Sequence, residues 1–457
     1  MDINVFKDKK IMILCPHQDD EINEAGGLLL ELKKINCTVY VVYSTNGDYN
    51  YSQIIRRKEA LKSLKVLGVN KNNIYFLGYP DQHPFNKDHL YMCEDSWSSN
   101  RGIKFTNTIY NDDFHFLKYK KHALLNRNSF IGDLKDVILE KYPDIIICVD
   151  FDSHCDHRAL SLAFHHSMGD ILKRIPKYRP IILKSFAYPT SYKSFYDFKN
   201  KILLPTRFLK EKKALYDFQN PYYKWEDRVS IDVSESTDKK LLLNNSLFKA
   251  IIKHKSQPLV QKTYSLINSD QVYFIRRTDN ICLSSLITST SGNVKYINDF
   301  MYFDSNNIMK GDLEEPILDG GIFEFDESDT KRIIRFNFKS KVNINRINIF
   351  KYVGYDKDIE KVKIMINGHN KEYNLKKNNY IYFIDNLNIN EIDSIQLSFD
   401  TNIKITEIEM FELDFSLLKY EKQNIKSCNS LVFFIDDVII LLYRLKNKIY
   451  RFYLNFF

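Results

Sequence analysis

One stretch limits what this chain can become: Cys15-Pro16-His17-Gln18-Asp19-Asp20-Glu21, set between the apolar run Ile11 to Leu14 and a helix-like segment from Ile22 to Ile35. A strand that ends in an imidazole and two adjacent carboxylates delivers them to the C-terminal edge of a sheet, where open α/β sheets bind their ligands. The carboxylates also fall at the first turn of the following helix, whose positive dipole end favours their ionised form. His17 and Asp20 stand three residues apart, so a tight turn can aim both at one point while Asp19 projects elsewhere. Such a pair suits a divalent metal of the zinc type, which accepts mixed nitrogen and oxygen ligands and needs three protein ligands at a catalytic site. Asp19 is then left for proton transfer.

A third ligand has to come from elsewhere. Ser153-His154-Cys155-Asp156-His157 follows the strand-like run Asp144 to Val149 and precedes the helix-like Arg158 to Met168, the same strand-turn-helix setting as the first motif. Cys155, between the two histidines, is an alternative thiol ligand. A lone histidine is more often structural, and adjacent aspartates are often only a helix cap. It is the conjunction of two such turns that points to a metal. His165 and His166 fall within the following helix and read as packing or surface residues, and His83 reads as a loop residue near the cleft.

PHQDDE with a later HCDH resembles the PIG-L/LmbE family of zinc-dependent N-acetylglucosaminide de-N-acetylases, whose pattern is PHxDDE and HxDH. Further family-like features are Arg56 and Glu59 in RRKEA, Gly68 in VLGV, Asp81 at the end of LGYPD, His254 to Gln257 as HKSQ, and Phe274 to Asn280 as FIRRTDN. The resemblance implies one zinc ion held by His17, Asp20 and His157, with Asp19 as the general base. It implies His154 as oxyanion stabiliser or acid, and Arg56 and Asp81 as holders of sugar hydroxyls. Asn46 and Gly47, in a turn after the second strand, line the same cleft. On this reading the chain is a hydrolase that removes the N-acetyl group from an N-acetylglucosamine-containing glycoconjugate and releases acetate. A soluble deacetylase of a small conjugate, or a non-catalytic glycan-binding protein, is the alternative. Retention of His17, Asp19, Asp20 and His157 together argues against the non-catalytic case.

The expected fold class is α/β: a Rossmann-like parallel sheet flanked by helices, then an antiparallel β-sandwich and an amphipathic C-terminal helix. Apolar runs Ile11 to Leu14, Thr38 to Tyr43, Ile74 to Leu77 and Ile145 to Val149 alternate with helix-like stretches such as Ile55 to Leu67, as a sheet built from βαβ units requires. Tyr91 to Phe130 breaks the rhythm and reads as an inserted loop over the strand ends. A helix is expected over Asp238 to Lys253, and the first domain, 1–282, closes near Cys282. From there the period falls to two in Arg332 to Phe338, Ile344 to Phe350, Lys361 to Ile366, Ile392 to Phe399 and Ile403 to Phe411, which predicts an antiparallel sandwich over 283–415. The run ITEIEMFEL resembles the closing strand of discoidin-like jelly rolls and implies carbohydrate binding. A sandwich with no ligand is the bland reading of the same pattern.

The tail, 416–457, is of another kind. From Leu431 to Phe457 the polar residues other than Lys446 fall within a sector of roughly 120° on a helix, and the rest of the circumference is apolar. Asp436 and Asp437 argue against a membrane span. The helix can instead lie in the interface with Arg444, Lys446, Lys448 and Arg451 at anionic headgroups. That placement points to a lipid-linked glycan substrate and a peripheral position on the inner face of the cell membrane. The alternative is a helix docked on the sandwich or on a second subunit. Seven cysteines without a close-set framework read as free thiols of a reducing compartment. Met1 to Lys10 does not read as a signal peptide, so the catalytic part is expected in the cytoplasm. A net charge of +8 over 457 residues is too diffuse to imply nucleic acid.

Overall fold

Strand β1 (Lys10–Cys15) is buried at every position after Lys10, as a central strand covered on both faces must be. There follow α1 (Asp20–Leu32), β2 (Thr38–Thr45), α2 (Gln53–Leu67), β3 (Ile74–Tyr79), α3 (Phe114–Tyr119), α4 (Arg127–Lys141), β4 (Ile145–Val149), α5 (Cys155–Arg174) and β5 (Ile181–Ser185). These five strands run parallel in the order β3-β2-β1-β4-β5. The chain therefore leaves β1 toward β2 and β3 and returns on its other side as β4, which makes the gap above β1 and β4 a topological switch point. Gly68 closes α2 at a φ of 90°, a left-handed cap that a side chain would strain. The computed structural model describes residues 1–82, 90–96, 98–99, 102–150, 154–185, 187, 202–203, 222–223, 227–233, 241–268, 270–301, 321–413, 426–427 and 430–456. His83 and Ser153 lie outside them.

Past β5, beyond the alternating runs from which the parallel sheet is expected, the added strands run antiparallel. After β6 (Ile202–Leu203) and β7 (Val229–Asp232), β8 (Asp270–Arg276) pairs antiparallel with β5, and β7 pairs antiparallel with β8. The result is a seven-stranded mixed sheet. The helix expected over Asp238 to Lys253 is also shorter. Asn245 caps α6 (Ser246–Ile251) by accepting from Phe248 N, so the helix begins there, while Asp238 to Lys240 lie outside the described residues. A further turn, α7 (Thr263–Leu266), precedes β8.

The period-two region forms two five-stranded antiparallel sheets. Its strands are β9 (Leu286–Ser289), β10 (Phe323–Glu324), β11 (Ile333–Ile344), β12 (Arg346–Lys351), β13 (Lys361–Ile366), β14 (His369–Asn374), β15 (Lys376–Asn378), β16 (Ile381–Ile384), β17 (Ile389–Ser398) and β18 (Lys404–Phe411). One sheet has the order β10-β18-β12-β16-β15 and the other β14-β13-β17-β11-β9. Alternate residues such as Ile334 and Phe336, Ile347 and Ile349, and Ile395 and Leu397 fill the space between them. Arg276 on β8 joins the mixed sheet to the sandwich through a buried ion pair of 2.9 Å with Glu407 and a second with Glu409. β19 (Lys426–Ser427) pairs with β6, and the chain ends in α8 (Ser430–Phe456).

Candidate metal centre

The turn after β1 is held to the end of β2 before any side chain of the site is considered. Thr45 N donates to Pro16 O at 3.0 Å, and the Gln18 amide donates to Thr45 O at 2.7 Å. Gly47, at a φ of 62°, packs so closely here that a Cβ would lie 2.2 Å from Gln18 Oε1 and 2.8 Å from Arg56 Nε. Asn46 does not open onto the site: its amide donates to Gly78 O and to both oxygens of Asn107, tying β3 to the inserted segment. From this frame the turn projects His17 and Asp20. The neighbouring turn after β4 projects His154 and His157 from the start of α5.

Three donor atoms meet at the switch point. His17 Nδ1 lies 3.1 Å from Asp20 Oδ2 and 3.1 Å from His157 Nε2, and the third side of the triangle, His157 Nε2 to Asp20 Oδ2, is 3.4 Å. Bonds of about 2.0–2.1 Å in tetrahedral geometry place zinc ligands roughly 3.3 Å apart, so the donor set fits a divalent ion. The triangle is buttressed from outside. Asn23, one turn along α1, donates to Asp20 Oδ1 at 2.9 Å, and His17 Nε2 lies 3.0 Å from Asp81 Oδ1 and 3.1 Å from Asp156 Oδ2. A carboxylate behind a ligating imidazole fixes its tautomer and raises its basicity. His154 and His157 rings are stacked with centroids 4.7 Å apart, and His154 also gathers with His17 and His157 within 4.8 Å. His154 therefore stands beside the triangle. Cys155 is buried, which pushes its thiol up and leaves it a small core residue in character.

Charge at the site is lopsided toward negative. Burial opposes ionisation of His17, yet the charge of Asp81 and the bonds to Asp156, Asp20 and Asp81 hold its pKa well above the usual imidazole range. Burial likewise opposes ionisation of Asp20, but His157 and His17 hold it well below the usual carboxylate range. Burial and the neighbouring Asp81 push Asp156 up to about 6. Four buried or nearly buried carboxylates around these imidazoles make a field that a cation would relieve. Asp19 lies beside the triangle, close enough for the charges of Asp20 and His17 to act on it. It is 8% exposed and accepts from Arg56 Nη2 at 3.0 Å. Its own burial raises its pKa, with Arg56 acting in the opposite sense.

Of the residues singled out from sequence, His17, Asp20 and His157 share one point, and Asp19 and His154 flank it. Arg56 and Asp81 are brought to the same place, where Arg56 is paired with Asp19 and Asp81 with His17. Three contributors carried no separate signal in the sequence reading. Asp156 was legible only as the residue between two histidines, Asn23 only as a polar residue one turn after Asp20, and Gln18 only as a spacer.

No curated protein matches the sequence significantly. Similar solved structures include the N,N'-diacetylchitobiose deacetylase from Pyrococcus horikoshii, at 17% identity over 60% of this chain and 86% of that one, with a TM-score of 0.34. A fucose binding module of Streptococcus pneumoniae matches at 13% identity over 30% of this chain and 98% of its own, with a TM-score of 0.24. The module CpGH89CBM32-6 produced by Clostridium perfringens matches at 15% identity over 29% and 98%, with a TM-score of 0.21. Residues 12–168, which hold every member of the cluster described above, match the family model described as GlcNAc-PI de-N-acetylase and form a PIG-L domain.

Proposed function

We propose that this chain hydrolyses the N-acetyl group of an N-acetylglucosamine-containing glycoconjugate, releasing acetate and a free amine, with one zinc ion held by His17, Asp20 and His157. The observation that carries the reading is the near-equilateral triangle of His17 Nδ1, Asp20 Oδ2 and His157 Nε2 with the Asp19 carboxylate beside it. When bound, the ion would supply a Lewis acid for the acetamide carbonyl and lower the pKa of water at the site.

The chain's own residues do the rest. Asp19, held in place by Arg56, takes a proton from the attacking water and returns it to the leaving amine. His154 accepts from Asp156 N through Nδ1 at 3.2 Å, so its ring proton sits on Nε2. Burial and the charges of His17 and His157 keep that ring well below the usual imidazole range. It therefore acts as a neutral donor to the carbonyl oxygen as that atom gains charge. Arg56 and Asp81 place the sugar. The aglycone is a lipid in this reading, with the basic and apolar character of α8 in its support.

Metal analysis combined with acetate release tests the proposal, using wild type, Asp19→Asn and His157→Ala on N-acetylglucosamine conjugates. Wild type is expected to hold one zinc and release acetate, Asp19→Asn to hold zinc without turnover, and His157→Ala to lose both. Zinc bound by wild type with no acetate from any amino sugar would leave a glycan-binding module instead.

A further inference from the structure

Helix α8 is seated on the catalytic domain by a mixed face and turns its most apolar face to solvent. Asp436 is buried and accepts from Leu242 N at 3.0 Å, Tyr264 OH donates to Asp437 Oδ1 at 2.6 Å, and Arg451 donates to Gln257 O at 3.3 Å. Ile439 and Ile440 are buried with Asp436, and the Tyr443 ring meets Phe248 edge to face. The two acids that break the apolar run are thus hydrogen-bonded at the protein surface. Arg451, expected among the outward basic residues, turns inward. On the opposite side Phe434, Leu441, Leu445, Ile449 and Phe452 are each at least half exposed, Ile449 at 70%. Steps of seven, four, four and three residues keep these five on one stripe.

Past Asp437, which is itself exposed and bonded to Tyr264, the charge around that stripe is of one sign. Arg444, Lys446 and Lys448 are exposed on the helix, and after Asp437 the sequence to its last residue contains no Asp or Glu. The segment that cradles the helix, residues 241–268, carries Lys249, Lys253, Lys255 and Lys262 and again no Asp or Glu. No helix among the described residues is long and apolar enough to cross a membrane. A continuous apolar stripe bordered by cations on a helix that cannot span suits an anionic lipid surface, with the stripe among the acyl chains and the cations at the phosphates.

We infer that α8 lies flat on an anionic membrane through Phe434, Leu441, Leu445, Ile449 and Phe452, and that the catalytic cleft is thereby held at the lipid surface. The second half of this inference rests on the deacetylase reading and on one short segment. His254 Nε2 lies 2.7 Å from Glu21 Oε1, Ser256 Oγ donates to Glu59 Oε2 at 2.6 Å, and Gln257 O receives Arg451 from the helix. Glu21 adjoins Asp20, and Glu59 lies one turn from Arg56. The same four residues therefore contact the helix and the N-terminal turns of α1 and α2 that carry the site.

The test is cosedimentation of the full chain with vesicles of phosphatidylcholine alone and of phosphatidylcholine mixed with phosphatidylglycerol, alongside acetate release. Wild type is expected on the mixed vesicles, with binding at least about tenfold weaker for Leu445→Asp/Ile449→Asp. Lys446→Glu/Lys448→Glu should weaken binding to the mixed vesicles more than to the neutral ones. Both variants should retain turnover of a soluble N-acetylglucosamine conjugate and lose about tenfold on the same sugar carried by a vesicle glycolipid. Wild type that stays in the supernatant with both vesicles overturns the inference. So does a solution dimer that Leu445→Asp/Ile449→Asp converts to monomer while vesicle binding is unchanged, since the stripe then belongs to a second copy. Vesicle binding as expected with no acetate from any amino sugar overturns the deacetylase reading and the cleft placement, and leaves the helix on the membrane.

Discussion

Arg56 Nη2 lies 3.0 Å from Asp19 Oδ1, and both side chains are almost wholly buried. A carboxylate in that setting is destabilised as an ion by burial, and the guanidinium is what offsets the loss of water. Removing Arg56 leaves the charge without its counter-ion and its position without a clamp. Arg56→Ala is therefore expected to lower kcat by roughly 10²-fold or more with zinc content unchanged. Arg56→Lys, which keeps charge but not the planar fork, should recover only part of it. Steady-state kinetics with metal analysis checks this, and a variant altered in KM alone would show that Arg56 serves the sugar and not Asp19.

Asp156 stands behind His17 and also accepts from Gln82 N at 3.0 Å. Outer carboxylates of this kind orient a ligating imidazole without touching the metal. Asp156→Ala is expected to weaken zinc affinity by about 10–100-fold, with turnover restored by excess zinc. Titration against a chelator of known affinity reads the first effect, and kcat measured across zinc concentrations reads the second. Affinity equal to wild type would remove the supporting role.

The convergence of His17 and Asp20 was legible because it is local. Residue types and a three-residue spacing between His17 and Asp20, set between a strand and a helix, already specify a convergence. The period-two pattern likewise foretold the sandwich, since a one-sided strand must alternate. Strand direction was not legible: β8 is as apolar as a parallel strand, and burial on both faces looks the same for either direction. The partners of Arg56 and Asp81 were hidden for a different reason. A guanidinium on a helix or a carboxylate at a strand end can meet substrate or protein, and only the fold reveals that Asp19 and His17 lie within reach. For α8 the sequence showed an apolar and a polar face but could not show which one is seated. The seating depends on hydrogen bonds to Leu242 and Tyr264, about 170 to 190 residues away.

Gly47 has no room for a side chain and holds a left-handed φ of 62°. Gly47→Ala adds a backbone cost of about 1–2 kcal/mol and drives a methyl group into Gln18 and Arg56. The expected result is a melting temperature lower by a few degrees together with reduced kcat, because the same contact displaces the partner of Asp19. Thermal melting and kinetics on one preparation check it. A variant that is destabilised but fully active would mean that Gly47 serves the turn alone.

Glu407, buried beside Arg276 where the mixed sheet meets the sandwich, is pushed up to about 7 by burial, with Arg276 acting against the rise. A folded-state pKa above the unfolded value means that the native chain holds a proton the unfolded chain releases. The associated stability is fully present below about pH 4.5 and is lost as pH rises toward 7. The shift corresponds to something on the order of 3 kcal/mol across that window. Glu407→Gln removes the titration while keeping the shape, so it is expected to be more stable than wild type above pH 7, with a flatter dependence of melting temperature between pH 5 and 8. Thermal melts of both proteins across that range decide the matter. A wild-type curve that instead rises from pH 5 to 8, with Glu407→Gln lower throughout, would mean that the pair with Arg276 stays ionised and that the charge, once buried, holds the domains together.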